Sequence, residues 1–308
     1  MDIELFKTIT KMSQTNLTCN LLKVLTKKYG EKNITLYDNN IFAKGTVPIT
    51  LIAHLDTVFL HPPVNFYYDQ EQKVLWSPDG LGADDRAGVY AILEIISKTK
   101  NNKPSVLFCR DEETGCLGAT SFVEKFKSPL TETKYLIELD RRGKNDCVFY
   151  DTDNPEFIKY IESFGFKEAS GTYSDVLEIG SAWKVPGTNL SVGYYDEHTH
   201  AEHLKVEELE DTIRKVVRMI NEKNIPNFEY IPKISLNKCS FCGGSMTVFE
   251  DYVIRTENKK NPYKHVCPAC LGVREDIQWC PICQTPFVGS HEVCPKCYEE
   301  EMKKINVL

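Results

Sequence analysis

The chain has 308 residues, of which 42% are hydrophobic, and a formal net charge of −7. That length allows one large domain and one small one. The acidic balance argues against a non-specific nucleic-acid or membrane binder, which is normally basic. No stretch approaches the ~18–20 apolar residues needed to cross a bilayer.

Two helical patterns open the chain, over about 3–13 and 17–29, with Gly30 placed to end the second. A buried strand is expected over 47–54. A helix over about 84–97 places Val89, Ile92, Leu93 and Ile96 at helical spacing. The apolar run Ser105 to Cys109 reads as a strand, 118–126 as a helix, and Tyr135 to Leu139 as another strand. A helix near 155–164, a strand at 189–194 and a helix over 206–222 complete the series. Strands alternating with helices predict an α/β fold, with a mixed, mostly parallel twisted sheet flanked by helices on both sides. Residues 225–238, with Pro226 and Pro232, read as a linker, so the expected domains are 1–230 and 231–308.

Short motifs of acids and histidines fall at the ends of these strands or at a helix start, the edge where open α/β sheets build their sites. His54 and Asp56 lie two apart at a strand end, so they share a face and the carboxylate can orient the imidazole. Asp84 follows Gly80-Leu81-Gly82 and opens a helix; it can cap that helix or bridge two cations. Asp85 and Arg86 read as a solvated pair at the same helix start. Glu112 and Glu113 end an apolar strand, and Thr114-Gly115 lets the chain turn so that the two acids can take different tasks. Asp140 ends the next strand. His198, His200 and His203 cluster beyond the strand at 189–194. Arg141 or Arg142 could pair with a substrate carboxylate, and Tyr173, Ser174, Asp175, Tyr194 and Tyr195 could line a pocket or simply pack. Metal ligands with a carboxylate left over as base are the equipment of metal-assisted hydrolysis.

Taken in order, His54-Leu55-Asp56-Thr57, Gly82-Ala83-Asp84-Asp85-Arg86-Ala87-Gly88 and Asp111-Glu112-Glu113-Thr114-Gly115 resemble the motifs of the co-catalytic zinc exopeptidases and amidohydrolases, over roughly residues 45–225. That family includes aminopeptidases, peptidase T, glutamate carboxypeptidase and aminoacylase. The resemblance implies that Asp84 bridges two Zn²⁺ ions. His54 and Asp140 would complete one site, Glu113 and His198 the other. It also implies Glu112 as general base and Asp56 as the group orienting His54. His198 is preferred over His200 because His198-Thr199-His200-Ala201-Glu202 matches the family's His-Ser/Thr-x-x-Glu pattern; His200 and His203 remain candidate pocket residues. Only 57 residues separate Asp140 from His198, too few for the lid domain of many relatives, so the single-domain aminopeptidase branch is the expected match.

The chain has twelve cysteines, and eight of them form CxxC pairs between 239 and 297: Cys239/Cys242, Cys267/Cys270, Cys280/Cys283 and Cys294/Cys297. Paired thiolates on tight turns suit tetrahedral zinc. Two structural Zn²⁺ sites are therefore expected, the first pair joining the second and the third joining the fourth, with the interleaved pairing left open; the CxxC units resemble zinc-ribbon knuckles, which implies a small C-terminal double zinc ribbon. Ten Lys/Arg against nine Asp/Glu in 231–308 become a net charge of about −3 once eight thiolates and two zinc ions are counted. Docking of a protein partner, substrate recruitment or stabilisation is thus expected of this module, rather than nucleic-acid binding. The acidic N-terminus Met1-Asp2-Ile3-Glu4 lacks the layout of a signal peptide, and a cytoplasmic location is expected. The sequence reading is an exopeptidase acting on a peptide or small amide. Its alternatives are a deacylase of a small N-acyl molecule and an inactive binding protein working through its ribbons.

Overall fold

The computed structural model describes residues 1–238, 241, 245–247, 252–256, 263–266, 270–271, 277–282, 286–288 and 294–297. The chain divides into two compact units, Met1–Pro232 and Lys233–Leu308. Among the described residues no helix is long and apolar enough to cross a membrane.

The first unit begins with helices α1 (Ile3–Thr10) and α2 (Gln14–Tyr29). Asp2 and Ser13 cap them by accepting from backbone N–H groups in the first turn. Strands β1 (Ile34–Tyr37), β2 (Asn40–Ala43) and β3 (Ile49–His54) follow, then the short β4 (Tyr67–Asp69) and β5 (Val74–Trp76). Next come α3 (Ala83–Lys98), β6 (Ser105–Cys109), α4 (Leu117–Lys125), β7 (Tyr135–Arg141), β8 (Asp146–Val148), α5 (Pro155–Glu162), β9 (Lys167–Glu168), α6 (Asp175–Trp183) and β10 (Gly187–Ser191). Strands β11 (Tyr194–Tyr195) and β12 (His203–Lys205) and helix α7 (Val206–Ile220) complete the unit.

Eight strands form the main sheet in the order β1-β2-β6-β3-β7-β10-β8-β9. The central four, β6, β3, β7 and β10, run parallel, while β1, β2 and β8 pair antiparallel with their inner neighbours. The central strands read as unbroken apolar runs because both of their faces are covered. Ile49, Leu51 and Ala53 pack with α1, α2, α3 and α7 on one face. Ile52, Leu107 and Leu136 pack with α4 and α6 on the other. Gly88 in α3 is required by this packing, since a Cβ there would sit 2.0 Å from the carbonyl oxygen of Leu139. The 57 residues between Asp140 and His198 add β8, α5, β9, α6, β10 and β11 to this unit rather than building a separate lid.

Residues 225–232 are not a free linker. Phe228 packs against the rings of Tyr135, Phe157 and Tyr160, and Ile231 accepts a hydrogen bond from the Asp153 N–H. The Phe228 ring and the Ile231 backbone carbonyl hold this segment to the first unit, whatever its two prolines suggest.

In the second unit, β13 (Ile234–Lys238) pairs antiparallel with β14 (Ser245–Thr247). Strands β15 (Tyr252–Thr256), β16 (Tyr263–Val266), β17 (Gln278–Trp279) and β18 (Pro286–Val288) form a sheet in the order β16-β15-β18-β17. Ile254 and Val266 are fully buried in a small cluster with Leu271 and Ile277.

Candidate active site

The parallel strands β3, β6 and β7 deliver three of the acid- and histidine-bearing segments to one edge. His54 ends β3 and is completely buried. Its Nδ1 lies 3.2 Å from Asp56 Oδ1, and its Nε2 lies 3.1 Å from Asp84 Oδ1 and 3.6 Å from Asp140 Oδ1. Asp56 has a second task. Its two oxygens accept from the backbone N–H groups of Glu112 and Glu113, at 3.0 and 3.1 Å. One carboxylate therefore orients the histidine and anchors the turn that carries both glutamates.

That turn begins after β6. Asp111 takes a positive φ of 52°, and the Glu112 carbonyl accepts from the N–H groups of Gly115 and Cys116. The reversal sends the adjacent glutamates in different directions. Glu113 reaches His198 Nε2 at 3.0 Å, while Glu112 Oε1 lies 3.6 Å from Cys116 Sγ. His198 also stands 3.2 Å from Asp84 Oδ2. Asp84 thus divides its two oxygens between the two histidines, and His54, Asp84 and Glu113 each place a ligand atom within 4.8 Å of the others. Asp140 is held from behind: its N–H donates to Asn189 Oδ1 at 2.9 Å, and the Tyr194 hydroxyl donates to its carbonyl at 2.8 Å.

The segment around Asp84 differs from the sequence expectation. Asp84 and Asp85 have non-helical backbone angles, and a cis peptide bond joins them. The helix cap is Asp85, whose Oδ1 accepts from the Gly88 N–H at 2.9 Å; Asp84 is not the cap. Asp85 and Arg86 are not a solvated pair either. Both are buried; Asp85 Oδ2 accepts from the His54 N–H at 3.2 Å, and Arg86 donates to the Ile9 carbonyl at 3.3 Å. Helix α1 and strand β3 cover these charges, which sequence proximity to a helix start does not reveal.

Sequence reasoning missed Glu202. It is completely buried, and its two oxygens accept from the backbone N–H groups of Gly82 at 2.5 Å and Asp84 at 3.0 Å. It fixes the loop that presents Asp84. The only signal was its place in the His198-Thr199-His200-Ala201-Glu202 pattern, which gives no role. His200 and His203 do not line the cavity. His200 lies beside the ring of Phe59, and His203 stacks on Tyr195. Tyr173 and Tyr194 do line it, whereas Ser174 and Asp175 are buried behind it, Ser174 donating to Glu138.

The electrostatics follow from crowding acids at a buried edge. Burial, reinforced by the neighbouring Asp84, pushes Glu113 up to about 7. Burial likewise raises Glu112, with Asp84 and Asp56 adding to the effect. Asp140 is raised well above the carboxylate range by burial and by Asp84. Burial disfavours the charged form of His54, but Asp140, Asp56 and Asp84 outweigh it and lift the imidazole well above its usual value. The hydrogen bond to Asp84 raises His198 to about 9, against the opposing pull of burial. Four carboxyl groups and two imidazoles aimed at one another are a donor set that fits divalent cations. The oxygen and nitrogen ligands match zinc.

These groups open onto a cavity of about 170 Å³, bounded by Asp84, Glu112, Glu113, Asp140 and His198 and by Arg141, Arg142 and Tyr173. In the second unit, Cys280, Cys294 and Cys297 are buried with their sulfurs within 4.8 Å of one another. Cys270 is half-buried beside Leu271 and the Ile254–Val266 cluster. Cys239, Cys242, Cys267 and Cys283 lie outside the described residues.

Residues 41–178 match the sequence profile of Peptidase family M28. No curated protein matches the chain. Among solved structures the chain is similar to aminopeptidase PepT from Bacillus cereus, with 18% identity and a TM-score of 0.53 over 71% of this chain and 96% of that one. It is also similar to a tripeptidase from Staphylococcus aureus (14% identity, TM-score 0.55, 71% of this chain and 96% of that one). A TET aminopeptidase from a marine sediment Thaumarchaeota archaeon matches with 14% identity and a TM-score of 0.55, over 72% of this chain and 97% of that one. The first unit therefore has the mixed α/β fold of these aminopeptidases. The profile match supports a metallopeptidase, and with it a hydrolase of the exopeptidase kind.

Proposed function

We propose that the chain is a dizinc exopeptidase of the aminopeptidase type. His54, Asp84 and Asp140 would hold one zinc ion, and Asp84, Glu113 and His198 the second. The observation that carries this reading is the division of the Asp84 oxygens, Oδ1 toward His54 at 3.1 Å and Oδ2 toward His198 at 3.2 Å, which is the arrangement a bridging carboxylate needs. Zinc bound there would supply Lewis acidity toward an amide carbonyl and make water a stronger acid near neutrality.

The chain's own residues do the rest. Glu112 is the general base. It takes the proton from the attacking water and returns it to the departing amine, and burial raises its pKa toward the range that serves both steps. Asp56 orients His54 and, through the Glu112 N–H, keeps the base in place. The second unit is read as two Cys₄ zinc sites, Cys239, Cys242, Cys267 and Cys270 in one, Cys280, Cys283, Cys294 and Cys297 in the other. The convergence of Cys280, Cys294 and Cys297 supports the latter. Such a module needs zinc for its folding, since so small a segment has little core. It would dock a protein partner or recruit substrate. Thiolates in this number also call for a reducing, cytoplasmic setting.

The test compares wild type with Glu112→Gln on Leu-Gly-Gly and on N-acetyl-Leu-Gly-Gly, with zinc content measured on both proteins. Wild type should release free leucine from the unblocked peptide only. Glu112→Gln should keep its zinc and lose roughly 10²- to 10⁴-fold in kcat. Preference for the acetylated peptide would make the protein a deacylase. A zinc-loaded wild type that cleaves neither peptide would defeat the hydrolase reading.

A further inference from the structure

Two arginines stand in the wall of the acidic cavity, and only one has its charge answered. Arg142 Nη1 is 2.6 Å from Glu197, in an exposed ion pair at the rim. Arg141 directly follows Asp140 at the end of β7 and lines the same cavity as Asp84, Glu112 and His198. It makes no ion pair among the described residues. One terminal nitrogen donates to the Ser170 carbonyl at 3.1 Å, which orients the guanidinium, and the buried Nε has no partner. The remaining terminal nitrogen donates to no described protein group.

A half-buried guanidinium tied only to one carbonyl is poorly satisfied, because burying a charge is costly unless it is paired. Guanidinium forks match carboxylates in shape and charge, commonly through two parallel hydrogen bonds. The carboxylates of the cavity do not take up this role. Glu197 is engaged by Arg142, and Asp84, Asp140 and Glu113 are turned toward His54 and His198. The geometry points to Arg141 as the residue that receives a carboxylate of the substrate, close to the scissile bond. The substrate class is then a short peptide with a free C-terminal carboxylate, or one with an acidic side chain beside the cleaved amide, rather than the neutral end of a long chain. This rests on the hydrolase reading above and deepens it.

The experiment compares Ala-Ala-Ala with Ala-Ala-Ala-amide, and Glu-Ala-amide with Gln-Ala-amide, on wild type, Arg141→Met, Arg141→Lys and Arg142→Met. For a hydrogen bond to a charged group, wild type should favour the acidic member of one pair by roughly 10- to 100-fold in kcat/KM, mostly through KM. The first pair answers to a C-terminal carboxylate and the second to an acidic side chain. Arg141→Met should bring that ratio to about one, and its circular dichroism and zinc content, matching those of wild type, should show that it is folded. Arg141→Lys should fall between the two, and Arg142→Met should keep the preference. Equal cleavage within both pairs by wild type overturns the assignment while leaving the hydrolase reading intact. So does a preference that survives Arg141→Met. If wild type cleaves nothing, calorimetric titration with Ala-Ala-Ala and its amide decides separately. Tighter binding of the acid that is lost in Arg141→Met supports the assignment, and equal binding overturns it.

Discussion

Replacing Glu202 with alanine is the sharpest test of how the site is held. The side chain has no exposed surface, and its oxygens accept from the N–H groups of Gly82 and Asp84, both buried residues. Alanine would orphan both donors. Each buried, unsatisfied backbone N–H costs about 1–3 kcal/mol, so the pair predicts a loss of roughly 2–6 kcal/mol. Glutamine keeps one acceptor and turns an N–H₂ toward the second donor, so its cost should be about half as large. The damage should concentrate at the start of α3, where Asp84 is presented. Urea denaturation gives the global loss, and hydrogen exchange read by mass spectrometry over residues 80–90 gives the local one. Zinc affinity should weaken in parallel, because a displaced Asp84 cannot serve both sites. A Glu202→Ala protein within about 0.5 kcal/mol of wild type, with unchanged exchange over that segment, would refute the account of how Asp84 is positioned.

Two further outcomes follow from the same geometry. Metal analysis should find four zinc ions per chain, falling to two in His54→Ala and Asp84→Asn. A count of two that survives both substitutions would confine the metal to the cysteine module. Asp175 is completely buried with neither oxygen hydrogen-bonded, and burial together with the nearby Glu112 pushes it up to about 8. A folded-state pKa above the unfolded value means that stability from this group is fully present below about pH 4 and is lost as pH rises through about 8. Asp175→Asn removes the ionisation, so its stability relative to wild type should improve between pH 5 and pH 9. A difference that stays constant across that range would show that Asp175 is not held protonated.

The central elements were legible because their signals are local. Strands β3, β6 and β7 are apolar runs sandwiched between helix layers, and α3 and α7 carry apolar residues at helical spacing. The edge of the sheet was less legible. The β1–β2 hairpin passed unread although Asp38 and Asn39 both take positive φ, the conformation that an Asp-Asn turn between short strands favours. Helix α6 is short and follows Ser174 without a side-chain cap bond, so nothing local announced it. The packing of 225–232 was misread for a similar reason: its prolines are local signals, whereas the contacts of Phe228 reach residues far back in the chain.

The order of residue types alone carried the chemistry: an acid or histidine at each strand end, two adjacent glutamates, four CxxC pairs. What it could not carry was distance. His54 meets residues 30 and 86 positions away, His198 meets Glu113 across 85, and Glu202 meets Gly82 across 120. Only the parallel register of β6, β3 and β7 decides that the acids and histidines they carry share one edge. Only the layer covering that edge decides that Asp85 and Arg86 are buried while Arg142 is exposed. Side-chain chemistry is a property of each residue, but burial and convergence belong to the folded chain as a whole, since both depend on what packs against a residue from elsewhere in the sequence.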